Sequence, residues 1–341
     1  MRAVVIREVG SFELADVPVP EPGPGEALVQ VSVAGLCRTD LKVVRHGHRD
    51  LTLPRVPGEE VVGVIVALGS DASPFALGDR VYVYPGEWCG ECPSCRRGAE
   101  NLCRGMRIMG FHRDGGFADS VTAPVQSLIH VPHRLGDAEA VFAEPLSCCL
   151  NALELARVDA GDVLGVWGAG PAGTLLSRAG ALRGAEVVVI ETDARRRDLF
   201  VSAPGAPPRV SAHEAVPCLV DVAVVAVGDP AAYEAAIAAL APRGRLVVFS
   251  GLLPPDDAAL HVSLSAVHYH EHTFVGAYGC SLRHGVEALD LLASRRLRVD
   301  DLVSHRLPLA DLDEGLDVVA HRAGMKVHLY PGSVPASSPP S

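Results

Sequence analysis

Four cysteines, Cys89, Cys92, Cys95 and Cys103, fall in Cys-x2-Cys-x2-Cys-x7-Cys inside a polar loop rich in Gly, Arg and Glu. Thiolates at such spacing can converge tetrahedrally on one Zn²⁺ and leave it no open position, so the metal would hold the chain rather than do chemistry. An iron–sulfur cluster and reduced, unliganded thiols use the same residues. No proline follows Cys103 and the loop has no apolar shell of the kind that surrounds a bacterial-type cluster, which favours zinc.

The second chemistry-bearing stretch runs from Asp162 to Glu191. Gly168, Gly170 and Gly173 form G-x-G-x-x-G directly behind the apolar run Val163 to Trp167, and Leu175, Leu176, Ala179 and Leu182 recur behind them at helical spacing. In that context Gly168 makes the turn, Gly170 lets backbone approach a pyrophosphate, and Gly173 lets helix pack on strand. Pro171 and Ala172 open the helix, whose N-terminal N–H groups and dipole favour an anion. Glu191 ends the next strand, where a carboxylate can accept from both ribose hydroxyls of an adenosine and would repel a 2′-phosphate. NAD is therefore expected over NADP, with Arg195, Arg196 and Arg197 as the counterweight. An ordinary crossover with a glycine-rich turn would not require the acid.

A third set is scattered: Cys37 in GLCRTD, Glu59 and Glu60 in PGEEVVG, and Glu144 in AEPLS. All lie at strand ends or turns and can meet in space as a metal site. Each also has a plain explanation. Cys37 can be a small buried hydrophobe, the glutamate pair a solvated turn, and Glu144 an acid favoured at a helix N-terminus. Cys148, Cys149, Cys218 and Cys280 have no ligand spacing and read as core. His268, His270 and His272 alternate at strand period, which reads as one surface or cleft face rather than a metal site.

These residues need elements to hold them. Up to about Ala143 the pattern is of short strands, predicted at Arg2–Ile6, Glu26–Gly35, Glu60–Gly69, Gly78–Tyr84 and Phe117–Ala123, with no helix of three turns, which suggests a partly open β-barrel. After Pro145 strands alternate with helices, the pattern of a doubly wound parallel sheet. The expected helices are the stretch from Pro145 to Ala156, Pro230 to Ala241 and Arg283 to Arg296; Ser202 to Pro217 is too proline-rich to read. Residues 297–330 hold short strands and a helix that can rejoin the barrel, and the Pro/Ser-rich stretch 331–341 reads as disordered.

The chain has 341 residues, 30 Lys+Arg against 41 Asp+Glu, and a net charge of −11 with no basic stripe, which argues against a nucleic-acid partner. No apolar run is long enough to span a membrane, and the start MRAVVIREVG carries charges where a signal peptide is apolar, so a cytoplasmic protein is expected. Nine cysteines without a secretory signal point to metal or catalysis rather than to disulfides.

GLCRTD, PGEE, the four-cysteine loop, GFHRDGGFADSV, AEPLS, GAGPAG and GAYG stand in the order and spacing of the zinc-dependent medium-chain alcohol and polyol dehydrogenases, and the chain resembles that family up to about Tyr330. The resemblance implies an α/β chain: a GroES-like β-barrel catalytic domain over residues 1–145, with its zinc lobe at about 86–105, completed by 285–330, and a Rossmann domain over 146–284. It implies a catalytic zinc on Cys37, Glu59 and Glu144, with Glu60 standing behind the ligands or exchanging as one of them, and Thr39 as the hydroxyl that contacts the substrate alcohol and begins the proton relay. The EPLS form of the third position is similar to the polyol and cyclitol branch, which includes dehydrogenases of aminocyclitols such as 2-deoxy-scyllo-inosamine. A homodimer or homotetramer acting on a small-molecule substrate is expected.

Two residues depart from the pattern. Glu59 stands where the family's G-H-E triplet has histidine, and Lys42 stands where many members keep a relay histidine. The reading is thus an NAD-dependent zinc dehydrogenase that interconverts a secondary alcohol of a polyol, sugar or (amino)cyclitol with its ketone. The alternatives are a member without catalytic zinc, using Glu59, Glu60 or Lys42 as acid/base on an activated double bond or cycling hydride on retained NAD, and a non-catalytic nucleotide-binding protein.

Overall fold

The computed structural model describes residues 1–202, 210–251, 260 and 262–335. It divides into two compact units. The first comprises Met1–Glu144, Ser281–Ser294 and Leu302–Ser341, and the second Pro145–Cys280 and Arg295–Asp301. The chain returns to the first unit at Ser281, earlier than the expected 285, and residues 295–301 go with the second. Arg178, almost fully buried on the helix Pro171–Leu182, explains the latter: its guanidinium donates to both carboxylate oxygens of Asp301 at 2.8 and 2.5 Å and to the Arg298 carbonyl.

In the first unit the strand Glu26–Leu36 is the axis of a seven-stranded sheet. It pairs antiparallel with Glu60–Leu68 on one side and with Lys326–Tyr330 on the other, while Ser120–Pro124 also pairs with its first half. Outside these lie Arg80–Val83, Leu128–His130 and Val303–Pro308. Most of Glu26–Leu36 is buried, as β-branched and small residues permit, and Val29, Val31, Val61, Ile65, Phe117 and Leu329 form its core. The helix Arg38–His46 follows at once; with nine residues it falls short of three turns.

The second unit holds a six-stranded sheet with every neighbour parallel, ordered Val210–His213, Glu186–Ile190, Val163–Trp167, Val220–Val225, Leu240–Val248, Thr273–Gly276. In the unit's own count this is 3-2-1-4-5-6, so the order reverses beside Val163–Trp167, the position where doubly wound sheets bind dinucleotides. Its strands are Val- and Ile-rich because helices cover both faces, and Val188, Ala223, Val225, Tyr233 and Leu246 fill the core on one of them.

Some local expectations change. The helix expected from Pro145 starts at Ala143, and Pro145 is tolerated in its first turn, where an amide has no helical acceptor. The helix Pro230–Ala238 ends before Ala241, and Leu282–Ala293 ends before Arg296. The histidine run is not a strand. Leu264–His270 is a helix, capped by Ser263, whose hydroxyl accepts from Ala266 N–H at 3.2 Å, and closed by Glu271 in the left-handed region at φ 54°. Capping chemistry outweighs the period-two pattern there, and His270 stacks on His272 with ring centroids 5.3 Å apart. Of the unread stretch, residues 203–209 lie outside the described residues, as do 336–341 of the tail expected to be disordered.

Candidate active site

The four-cysteine loop comes together as its spacing requires. The Sγ atoms of Cys89, Cys92, Cys95 and Cys103 all lie within 4.8 Å of one another. Backbone N–H groups support them: Cys89 and Gly105 donate to Cys103 Sγ at 3.4 and 3.3 Å. Backbone donors hold the Cys92 thiol down at about 6, whereas desolvation and the neighbouring thiols push Cys95 up to about 12. A donor set in which backbone groups favour ionisation of Cys89 and Cys92 while crowding opposes that of Cys95 fits a dication. The loop is tied to its unit by Glu100, a buried acid whose Oε1 accepts from Leu282 N–H at 2.7 Å at the start of the helix Leu282–Ala293. Ser281 adds a hydroxyl donated to the Gly98 carbonyl.

Cys37 sits at the end of Glu26–Leu36 as the N-cap of Arg38–His46. Its Sγ accepts from Thr39 N–H at 3.3 Å, and Asp40, 2 % exposed, accepts from Cys37 N–H at 2.8 Å, which completes a capping box. Glu60 begins the neighbouring strand, opposite Gly35. A Cβ at Gly35 would lie 1.9 Å from Glu60 Oε2, so glycine is what allows the carboxylate to fold onto the central strand. There Oε1 takes a hydrogen bond from the Lys326 ammonium, both side chains almost fully buried. Glu59 is held by the turn that precedes this strand, where Gly116 N–H and Phe117 N–H donate to the carbonyls of Gly58 and Pro57 at 2.9 and 3.0 Å.

The electrostatics of this cluster are one-sided. Burial, then Asp40 and Glu60, push the Cys37 thiol well above its ordinary value, with Lys326 pulling the other way. Burial, then Glu144, Asp40 and Glu60, push Glu59 well up, and burial lifts Asp40 to about 6. Burial works against a charged Lys326, yet Glu60 and Cys37 raise its pKa. Among the described residues, Cys37, Asp40, Glu59, Glu60 and Glu144 thus form one coupled acidic set that the buried Lys326 ammonium counters at Cys37, Asp40, Glu60 and Glu144. Such a set is compatible with a bound dication or with retained protons. The ligand atoms of Cys37, Glu59 and Glu144 do not converge within 4.8 Å among the described residues, so ligation needs side-chain movement of the two flexible glutamates. By charge and donor chemistry the residues fit zinc.

Thr39 is half-buried beside Cys37. Lys42, one turn on and also half-buried, has its pKa lowered by burial and by the Arg38 guanidinium, with Cys37 opposing.

In the second unit the glycine turn has the form its sequence predicts. Gly168 has φ 107°, a value that favours glycine, and a Cβ at Gly173 would lie 1.8 Å from the Gly168 carbonyl oxygen. Gly170 is the N-cap and Pro171 the first residue of Pro171–Leu182, with Ala172 next. Glu191 is buried, and both its oxygens are engaged: Oε2 by Ala169 N–H at 2.9 Å and Oε1 by Asp193 N–H at 3.1 Å. Arg196 reaches over the turn, its Nη1 3.1 Å from where a Gly170 Cβ would be. Arg197 donates to the Glu191 carbonyl at 2.6 Å and lies 3.7 Å from Glu214.

Sequence reasoning missed Asp40, Lys326 and His328. Cys37-x-x-Asp40 carried a legible signal, since it is a capping-box pattern with cysteine in the serine position. Lys326 and His328 had none. His328, fully buried two residues after Lys326, has neither ring nitrogen hydrogen-bonded. Burial, then Lys326 and Arg306, hold its pKa down to about 3.

A GroES-like sheet carrying Cys37 and a thiolate lobe, together with a dinucleotide-type parallel sheet, defines a class of nicotinamide-dependent dehydrogenases. Residues 23–133 match the alcohol dehydrogenase GroES-like domain and residues 171–294 the zinc-binding dehydrogenase domain. The chain is 34 % identical over 322 residues to D-altritol 5-dehydrogenase of Agrobacterium fabrum, covering 92 % of this chain and 94 % of that one. It is 29 % identical to L-galactonate-5-dehydrogenase of Escherichia coli, covering 90 % and 92 %. Among solved structures, a zinc-binding dehydrogenase from Sinorhizobium meliloti 1021 bound to NADP superposes with a TM-score of 0.87 at 30 % identity, over 97 % of this chain and 99 % of that one. The chain belongs to the zinc-type medium-chain alcohol dehydrogenase family. It is an NAD(P)-dependent oxidoreductase acting on alcohol groups. No described helix is long and apolar enough to cross a membrane.

Proposed function

We propose that this enzyme interconverts a secondary alcohol of a polyol, sugar or (amino)cyclitol with its ketone, using NAD in preference to NADP. The observation that carries the reading is the buried acid cluster around Cys37, whose excess negative charge suits a dication. The names of the relatives, which act on an alditol and a sugar acid, support the substrate class. Cys37, Glu59 and Glu144 would hold zinc, which when bound polarises the substrate hydroxyl. The alcohol loses a proton to the chain and a hydride to NAD⁺, giving ketone and NADH. Thr39, next to Cys37 in space, takes the substrate's hydroxyl proton as it passes its own hydroxyl proton on towards water. Lys42, its pKa lowered by burial and by Arg38, exchanges that proton with water more readily than an exposed lysine would. The Lys326 ammonium keeps Glu60 turned onto the central strand. Cys89, Cys92, Cys95 and Cys103 hold the structural zinc.

The preference for NAD rests on Glu191. Its carboxylate is fixed by two backbone N–H groups, and a 2′-phosphate at roughly 4 Å would cost about 4 kcal/mol at an effective dielectric near 20. Arg197 is already engaged with the chain, and Arg195 lies 3.8 Å from the Asp193 carboxylate, which weakens two of the three arginines as counterweights. A second reading follows from the raised pKa of Glu59: without metal, burial and the neighbouring carboxylates favour its protonated form, which can serve as a general acid for reduction of an activated double bond. A panel of polyols, aminocyclitols and their ketones, followed at the nicotinamide band with both cofactors, tests the proposal. Turnover of the hydroxylated compounds with a higher kcat/KM for NAD is the expected result. Turnover confined to activated alkenes, or preferred with NADPH, would replace it.

A further inference from the structure

Cys148 and Cys280, two of the cysteines that read as core, stand together in the second unit. Their Sγ atoms and a carboxylate oxygen of Glu144 all lie within 4.8 Å of one another, although 132 positions separate the two cysteines in the chain. Cys148 is half-buried on the helix Ala143–Leu155, and Cys280 is 3 % exposed at the last position before the chain leaves the unit. The helix is already moored to the Cys280 segment: Asn151, one turn beyond Cys148, donates to the Gly279 carbonyl at 2.9 Å. On the other side Cys149 points its thiol at the Ala172 carbonyl, 3.6 Å away, in the first turn of the helix that follows the glycine turn. The helix that carries Cys148 therefore touches both the Cys280 segment and the cofactor turn.

We propose that Cys148 and Cys280 form a hydroperoxide-responsive dithiol whose oxidation weakens dinucleotide binding. Cys148, the more accessible thiol, is the one oxidised: its thiolate attacks a peroxide oxygen, displaces hydroxide and becomes a sulfenic acid, and the displaced hydroxide takes up a proton to give water. Cys280 is the resolving thiol. Its sulfur attacks Cys148, forms the S–S bond and releases the sulfenic oxygen as water, so two thiols and one hydroperoxide give one disulfide and two hydroxyl products. Bonding brings the sulfurs to about 2.05 Å. That contraction draws Ala143–Leu155 towards the Cys280 segment and shifts Cys149 against the Ala172 carbonyl, where the pyrophosphate of the cofactor would meet the helix N-terminus. A dithiol reverses the change by exchange.

The zinc-loaded full-length protein treated with hydrogen peroxide tests this. Disulfide mapping by mass spectrometry should find a peptide linked through Cys148 and Cys280, with the dissociation constant for NADH, read by nicotinamide fluorescence, raised about five-fold or more. Dithiothreitol should restore both. Cys148→Ser and, should the buried site not tolerate serine, Cys280→Ala as its counterpart should bind NADH as the parent does and resist the peroxide effect. Zinc release to a chromophoric chelator reports oxidation of the four-cysteine lobe separately. The proposal is overturned if no linked peptide forms, if the linked protein binds NADH unchanged, or if the loss of affinity follows zinc release and persists in Cys148→Ser. It is also overturned if both variants lose a bound metal, which would make the pair ligands instead.

Discussion

The first unit contains two acid-rich donor sets that differ in how they are assembled. The four thiols lie within fourteen positions of one another, each close to backbone N–H groups of its own loop. The cluster around Cys37 draws on strand ends and turns as far apart as Glu60 and Lys326, separated by 266 positions, and buries its charges in the sheet. The loop carries its coordination geometry in its own backbone. The cluster depends on the whole sheet, and its charge is tolerable only with a counter-charge, which among the described residues Lys326 supplies from a buried position. A locally built set would therefore fail by losing the metal proposed for it; a sheet-built set would fail by losing its charge balance.

Removing one thiol should give the largest effect. Structural zinc contributes apparent binding free energies of about 10–16 kcal/mol, so Cys95→Ser should lose the metal of the lobe, unfold the loop and free Glu100 from the helix Leu282–Ala293. Elemental analysis and a thermal melt check this; a variant of unchanged metal content and Tm would break the contrast at its first term.

The second effect is on the sheet-built set. Lys326→Met leaves Glu60 buried without its cation and should cost about 3–5 kcal/mol in urea unfolding, whereas the double variant with Glu60→Gln should recover much of that loss. Equal losses in the single and double variants would show that packing, not charge, governs the site.

The smallest effect sharpens the same comparison through pH. The folded pKa of His328 is about 3, below the roughly 6.5 of an unfolded histidine. Between those values the unfolded chain binds a proton that the fold refuses, so stability falls as pH drops, by about 1.4 kcal/mol per unit and by about 2 kcal/mol at pH 5. His328→Phe should lose that slope; a variant with the parent's acid sensitivity would assign the slope to other groups.

How legible each region was follows from the same distinction. The glycine turn, Glu191 and the cysteine lobe could be read because each is a short stretch whose spacing determines its geometry. The parallel sheet followed from strands alternating with helices. Lys326 could not be read, since nothing near it in the sequence announces a partner on another strand; neither could the close approach at Gly35, which appears only once Glu60 lies opposite it. Asp40 was readable and overlooked, because cysteine is an uncommon cap. The histidine run misled because period-two spacing in a short segment is weaker than the Ser263 cap that starts a helix there.

The central claim is that the acid cluster around Cys37 holds a metal although Glu59 stands where histidine is usual. Elemental analysis of zinc-loaded, active protein beside its Glu59→Ala variant tests it most directly. The expected result is about two zinc ions per chain in the parent and about one in the variant, with activity lost together with the second ion. One zinc per chain in fully active parent protein would contradict the claim and leave Glu59 as a metal-free acid.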